Sequence, residues 1–238
     1  MLPTSLFLFF QSGSVSLDTP EGEALPEFES ESLLEIVASS GWLGIGIVII
    51  LGFLLLLGLY IFFERYATIR QAGKVDQNFM ARIRADVSSG NIVGARALCQ
   101  STDSPVARMV EKGLQRIGKP LADIDAAIEN VGNLEVFRLE KGLSTLASIS
   151  GAAPMIGFFG TVTGMINAFY EMSTAENITP DTLAGGIYQA LITTAAGLFI
   201  GILAFIGYNL LVARVERVVY QMERSTTEFM DLLQEPSN

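Results

Sequence analysis

The sequence contains no histidine, one cysteine and one tryptophan in 238 residues, and its first 63 residues hold no lysine or arginine. Each gap excludes something. With Cys99 alone no intrachain disulfide can form, and without histidine the usual Cys/His zinc sets cannot be assembled. No GxxxxGK[ST] phosphate loop and no GxSxG nucleophile elbow occurs. The common signatures of soluble enzymes are therefore missing, and no residue set calls for a cofactor or a metal. No internal repeat is present.

Charge is missing from three long stretches. Gly41–Phe63, Gly142–Tyr170 and Thr182–Ala213 run for 23, 29 and 32 residues without Asp, Glu, Lys, Arg or His. About 20 apolar residues suffice for a helix to cross the hydrocarbon core, and lipid leaves backbone polar groups no partners outside a helix or a closed barrel. Half of the residues are hydrophobic and the mean hydropathy is +0.44, which three buried helices of a single soluble core would not explain. The expected fold is an all-α membrane protein with three spans.

The basic residues set the orientation. Segment 64–141 holds 12 of the 15 and segment 214–238 the other 3, while 1–63 and 171–181 hold none. The positive-inside rule then places the middle segment and the tail in the cytoplasm and the N-terminus and short loop outside. The chain divides accordingly into an outward N-terminal segment (1–40), a first span (41–63), a helical cytoplasmic segment (64–141), a second span (142–170), an outer loop (171–182), a third span (183–213) and a cytoplasmic C-terminal helix (214–238). Charge follows the same partition. Residues 1–63 carry 7 acids and no base, so most of the net charge of −10 is external. Nothing forms a basic footprint for nucleic acid.

The start, MLPTSLFLFFQSGSVS, has a short apolar core with no preceding Lys or Arg. It reads as an outward segment touching the membrane or a neighbouring subunit rather than as a cleaved signal peptide. Asp18–Glu31 reads as an acidic flexible connector, and Ser32–Ala38 as the start of a helix leading into the first span. In the middle segment Val75–Val87 and Ile92–Cys99 read as helices separated by Ser88–Asn91. Ser104 caps a further helix with Pro105 at its first position, and Gly118–Pro120 stops it. Leu121–Lys141 is the longest, with Ile124, Ile128, Val131, Leu134, Phe137 and Leu139 as its apolar stripe. Because no proline follows, one helix is expected to run from this segment into the second span. The tail, Arg214–Leu233, places Val215, Val218, Val219, Met222, Phe229 and Leu233 at helical spacing and extends the third span in the same way.

Small and polar residues interrupt the second and third spans. Gly157, Gly160 and Gly164, with Ala153, and Gly197 and Gly201, with Ala204, suit close helix packing, because lipid does not drive helices together by the hydrophobic effect. Thr161, Asn167, Gln189, Thr193 and Thr194 are the polar side chains. Gln189, Thr193 and Gly197 recur every four residues and share a face. These residues suit two uses, a hydrated path and interhelical hydrogen bonding, and the residue types leave both open. No side chain in the three runs titrates near neutral pH, since tyrosine titrates at about 10. If protons cross here, the titrating group comes from another chain.

GFFGTVTGMINAF (Gly157–Phe169), GGIYQALITTAAGLFIGILAFIGYN (Gly185–Asn209) and FFERY (Phe62–Tyr66) resemble the MotA/TolQ/ExbB proton-channel family, most closely its ExbB and TolQ branch. The resemblance covers the chain from Gly41 to the tail. It implies a bacterial inner-membrane subunit that is not an enzyme, with three spans, a periplasmic N-terminus, a cytoplasmic C-terminus and long helical cytoplasmic extensions. It further implies a homo-oligomeric ring, a pentamer, around the single spans of an ExbD/TolR-like dimer whose membrane aspartate carries the proton. Proton flow would then drive a TonB- or TolA-like transducer. Thr161 in GTVTG and Thr194 in ITTAAG match the family's pore-facing threonines, with Thr193 adjacent to the second. Some members carry glutamate where this chain has Gln189, so a charge change there is impossible here and a polar contact is what remains. Asn167 falls at the outer end of the path. Competing readings are a non-conducting membrane scaffold and a flagellar-type stator, whose relatives usually have four spans.

Overall fold

The computed structural model describes residues 41–74, 76, 78–174 and 180–234. The N-terminal apolar segment, the acidic connector and the helix expected from Ser32 lie outside them, as do residues 175–179 of the loop. Among the described residues the chain forms seven α-helices and no strand: α1 (Gly41–Ala72), α2 (Phe79–Ser88), α3 (Ile92–Ser101), α4 (Pro105–Leu114), α5 (Leu121–Glu140), α6 (Leu143–Thr174) and α7 (Pro180–Gln234). Three of the helical stretches are long and apolar enough to cross a membrane.

Helix α1 is apolar all round, the pattern of a helix in lipid. It buries Ile47, Leu51, Ile61 and Ile69 against α6 and α7, while Ile49, Phe53, Leu56, Tyr60 and Phe63 stay exposed. It continues past its uncharged run to Ala72. Phe62 meets Phe63 edge-on at 5.5 Å between ring centroids, and the Arg214 guanidinium of α7 stands 4.0 Å over the Tyr66 ring. That cation–π contact ties the ends of the two spans together.

Helices α2 to α5 form a head whose caps follow from the sequence. The Asn91 side chain accepts from the Gly94 N–H at 3.0 Å and starts α3. The fully buried Ser104 accepts from the Ala107 N–H at 3.1 Å, with Pro105 at the first position of α4. Helix α2 begins at Phe79, three residues beyond Asp76, whose carbonyl and carboxylate take the N–H groups of Phe79 and Asn78. It is therefore shorter than the span expected from Val75, and Val75 itself lies outside the described residues. The end of α7 closes the head. Phe229 packs onto α4 at Gly113, where a Cβ would come within 2.5 Å of the phenyl ring and 2.8 Å of Ile128.

Two expectations fail in α5. The helix does not run on into the second span: it ends at Glu140, and Gly142 takes φ +83°. That left-handed conformation is open to glycine, and the Gly142 carbonyl then accepts the N–H of Leu146 to begin α6. The stripe also differs. Ile124, Ile128 and Leu139 are buried, but Leu134 and Phe137 are exposed, and Glu135 takes the inner position. Glu135 is held by Arg108 at 2.7 Å and Arg138 at 2.6 Å, and Arg108 also reaches Asp103 at 2.7 Å. The carboxylate is buried because both of its oxygens are paired. The Arg138 carbonyl in turn accepts from Arg65 at 3.5 Å, which joins this network to α1.

Helix α7 is one unbroken element of 55 residues through the third span and the tail. Val215, Val218, Met222 and Phe229 are buried, as is Leu232, with Val219 and Leu233 packed beside them.

Candidate functional site

Among the described residues the most extensive contact joins α6 and α7, which run antiparallel. Along α6 the buried small residues are Ala153, Gly157, Gly160, Gly164 and Ala168. A Cβ on Gly157 would lie 2.7 Å from the Thr193 carbonyl oxygen, and one on Gly197 would lie 2.6 Å from that of Ala153. On Gly164 it would sit 3.0 Å from the Ala190 methyl, and on Gly201 2.5 Å from the Pro154 ring. Gly160 faces the Thr193 side chain itself. The two backbones therefore touch where glycine meets glycine, and the hydrogen of each Cα is the only substituent that fits. Glycine costs a helix about 1 kcal/mol relative to alanine, and close backbone approach is what offsets it in lipid. Gly186, Ala190 and Ala168 belong to the same seam and were not singled out from sequence. Their signal is the spacing of small residues at three and four along both helices.

Each polar residue has a definite place on this seam. The Thr194 hydroxyl donates to the Gly157 carbonyl at 3.1 Å, across the helix pair. In an α-helix that same carbonyl accepts the N–H of the residue four further on, here Thr161. The Thr161 hydroxyl donates to the Phe158 carbonyl at 2.6 Å, and the Thr193 hydroxyl to the Ala190 carbonyl at 2.8 Å. Thr193 is 2% exposed and locked in the seam, whereas Thr161 and Thr194 are half-buried. In all three the proton is directed to a carbonyl, so the lone pairs not facing the backbone can only accept.

Helical periodicity sorts the residues into two flanks. At 100° per residue, Thr161 lies ~40° to one side of Gly157 and Asn167 ~80° to the other. Relative to Gly197, Thr194 lies ~60° to the first side and Gln189 ~80° to the second. Antiparallel pairing puts equal senses on the same side, so Thr161 and Thr194 share one flank and Asn167 and Gln189 the opposite one. Helix α1 packs on the second flank: Gly58 lies against Ile149 and Leu146, and Gly207 against Phe62. Among the described residues no other helix covers the flank of Thr161 and Thr194. Beside Thr161 the open face of α6 is formed by Val162, Met165, Ile166 and Phe169. The five polar residues expected to form one path are thus not brought together on one side.

Between Leu143 and Tyr170, and between Thr182 and Ala213, the only titratable side chains are tyrosines. Among the described residues no cluster of His, Cys, Asp and Glu could hold a metal ion.

The comparisons with known proteins agree with one another. A family model described as the MotA/TolQ/ExbB proton channel family matches residues 101–224. The Tol-Pal system protein TolQ of Pseudomonas aeruginosa is 31% identical over 182 residues, covering 72% of this chain and 79% of the relative. The TolQ of Haemophilus influenzae is 40% identical over 101 residues, covering 42% and 44%. The biopolymer transport protein ExbB of Neisseria gonorrhoeae is 43% identical over 74 residues, covering 31% and 34%. The last two alignments span less than half of either partner.

Proposed function

Because the chain belongs to the MotA/TolQ/ExbB proton channel family, a family of membrane channel proteins and not of enzymes, we propose that it is the ring-forming subunit of a proton-driven motor in a bacterial inner membrane. Its N-terminus is periplasmic and its C-terminus cytoplasmic, as the placement of all 15 basic residues favours. It works with a single-span ExbD/TolR-like partner whose aspartate supplies the titrating group. The energy drives a Tol-type or TonB-type envelope system through a TolA- or TonB-like transducer.

One observation carries this reading. Thr161 and Thr194 lie together on the flank of the α6/α7 pair that α1 leaves open, in spans with no titratable side chain except tyrosine. Their outward lone pairs suit a protonated carboxyl or a hydrated proton, both of which donate. A ring of copies, expected to be five, turns this flank toward a central partner helix. Gln189, Thr193 and Asn167 then serve the seam and its α1 side rather than the path itself.

A non-conducting scaffold is the competing reading, and Thr161 argues against it. Its hydroxyl bonds within its own helix and joins no second helix among the described residues. A flagellar-type stator is a second motor reading, and the likeness to proteins named TolQ and ExbB favours an envelope system over it. The test is co-expression with a single-span partner encoded beside this gene, followed by subunit counting and disulfide trapping of a cysteine at Val162 against one beside the partner's aspartate. A complex trapped there is expected; a chain that binds no single-span protein would overturn the reading.

A further inference from the structure

Two cavities of different chemistry lie end to end along the seam between α1 and α7. The first is an apolar groove of about 210 Å³ whose walls include Gly58, Phe62, Ile200, Ala204, Gly207 and Leu210. The second is a cleft of about 370 Å³ lined by Tyr66, Arg70, Arg214 and Arg217. On α1 the series Gly58, Phe62, Tyr66, Arg70 steps by four, and on α7 Gly207, Leu210, Arg214, Arg217 steps by three and four. Both cavities therefore follow one line down the same helix faces.

The shared cleft is what sets three of the arginines apart, since Arg82, Arg96 and Arg116 likewise make no ion pair among the described residues but do not line it. Arg65, Arg108, Arg138 and Arg224 each pair with a carboxylate. Arg70, Arg214 and Arg217 make no ion pair among the described residues, and no carboxylate lines their cleft. Glu216 is two residues from Arg214, ~160° around the helix and off this face. Arg214 is held in place over Tyr66. The three arginines line one cleft beyond the ends of the uncharged runs, after Phe63 on α1 and after Ala213 on α7.

We propose that this seam binds one anionic phospholipid, with an acyl chain in the groove and the headgroup phosphate on Arg70, Arg214 and Arg217. The dimensions agree. Leu54 to Phe62 rise ~12 Å at 1.5 Å per residue, close to the ~15 Å hydrocarbon depth of one leaflet. Planar guanidiniums match phosphate oxygens in paired geometry, and the cytoplasmic leaflet is the anionic one. The proposal requires membrane insertion but not the ion path, so it stands or falls separately from the motor.

The test is native mass spectrometry of the full chain, extracted as its oligomer and titrated with 1-palmitoyl-2-oleoyl phosphatidylglycerol or phosphatidylethanolamine of the same chains. The wild type should prefer the phosphatidylglycerol, and R70Q/R214Q/R217Q should lose that preference by about fivefold per arginine. R70K/R214K/R217K, which keeps the charge, should retain most of it and shows that the loss is not misfolding. Leu59→Trp, at the groove wall, should weaken both lipids and leave the preference intact. Equal binding of the two lipids by the wild type would overturn the proposal. So would an unchanged preference in the glutamine variant, or displacement of the lipid by soluble sn-glycerol 3-phosphate, which would mark a site for free anions.

Discussion

Thr194 donates its hydroxyl proton to the carbonyl oxygen of Gly157, 3.1 Å away on the neighbouring helix. Gly157 has no side chain to hold the helices apart, and a Cβ there would lie 3.2 Å from the Cα of Thr194. The glycine admits the threonine, and the threonine satisfies a second lone pair on the glycine carbonyl. Packing and polarity in this seam are one arrangement.

The two threonines should therefore separate in their effects. Thr194→Val removes an interhelical hydrogen bond, worth about 0.6 and at most about 1.7 kcal/mol in membrane proteins. Thr161→Val removes only a bond to its own preceding turn. Thermal unfolding of the detergent-solubilised protein should show a loss for Thr194→Val and little change for Thr161→Val. Energised transport should fall in both.

Glycine substitutions should sort by what faces them. Gly157→Ala and Gly197→Ala drive a methyl into backbone atoms that cannot yield, with a cost of about 1–3 kcal/mol for an overpacked contact. Gly151→Ala meets nothing within 4 Å and should be neutral or slightly stabilising. Equal losses at all three positions, read by thermal melting, would contradict the close approach of α6 and α7.

The spans were legible because an uncharged, apolar run of 23 residues or more is long enough to cross a bilayer and seldom occurs in a soluble core. The break at Gly142 was not legible, since a glycine that leaves the helix and one that stays within it, such as Gly157, have no local difference in sequence. Pro154 makes the converse point: it lies inside α6 and the helix continues through it. Leu134 and Phe137 looked like core because they are apolar, yet Ile124, Ile128, Glu135 and Leu139 keep the inward register. A paired carboxylate displaced the apolar residues there, and pairing across 27 positions is invisible to periodicity. On the seam, residue type showed which positions were small or polar, but the flank on which each lies depended on where α1 packs.

Glu135 should be the costliest carboxylate of the head to neutralise. It is 4% exposed and accepts from Arg108 and Arg138. Burial alone would lower the Arg108 pKa, but its bonds and attraction to Glu135 and Asp103 outweigh that and raise it. Glu135→Gln removes charge-assisted hydrogen bonds of about 1.5–3 kcal/mol. Chemical denaturation should show that loss, whereas Asp103→Asn, at an exposed carboxylate, should cost well under about 1 kcal/mol.

Cys99 should be inert while the head is folded. Burial, with Glu111 adding to it, pushes the thiol up to about 12. The thiolate is the reactive form, so maleimide labelling at about pH 8 should be slow in the native protein and fast after unfolding. The sign of the linkage also follows. The folded state keeps a proton that an unfolded thiol releases, so this contribution is complete below the ordinary thiol range. It is lost as pH rises from there toward about 12.

The central claim is that the path is made jointly by the Thr161 and Thr194 flank and a carboxylate from a second chain. Proton uptake into liposomes, followed with an internal pH dye under an imposed potential, tests it most directly. The chain alone should not conduct, the complex with its single-span partner should, and the T161V/T194V complex should conduct about a hundredfold less or lower, the range of a lost positioned proton-transfer group. Conduction by the chain alone equal to that of the complex, or full conduction by the double variant, would contradict the account.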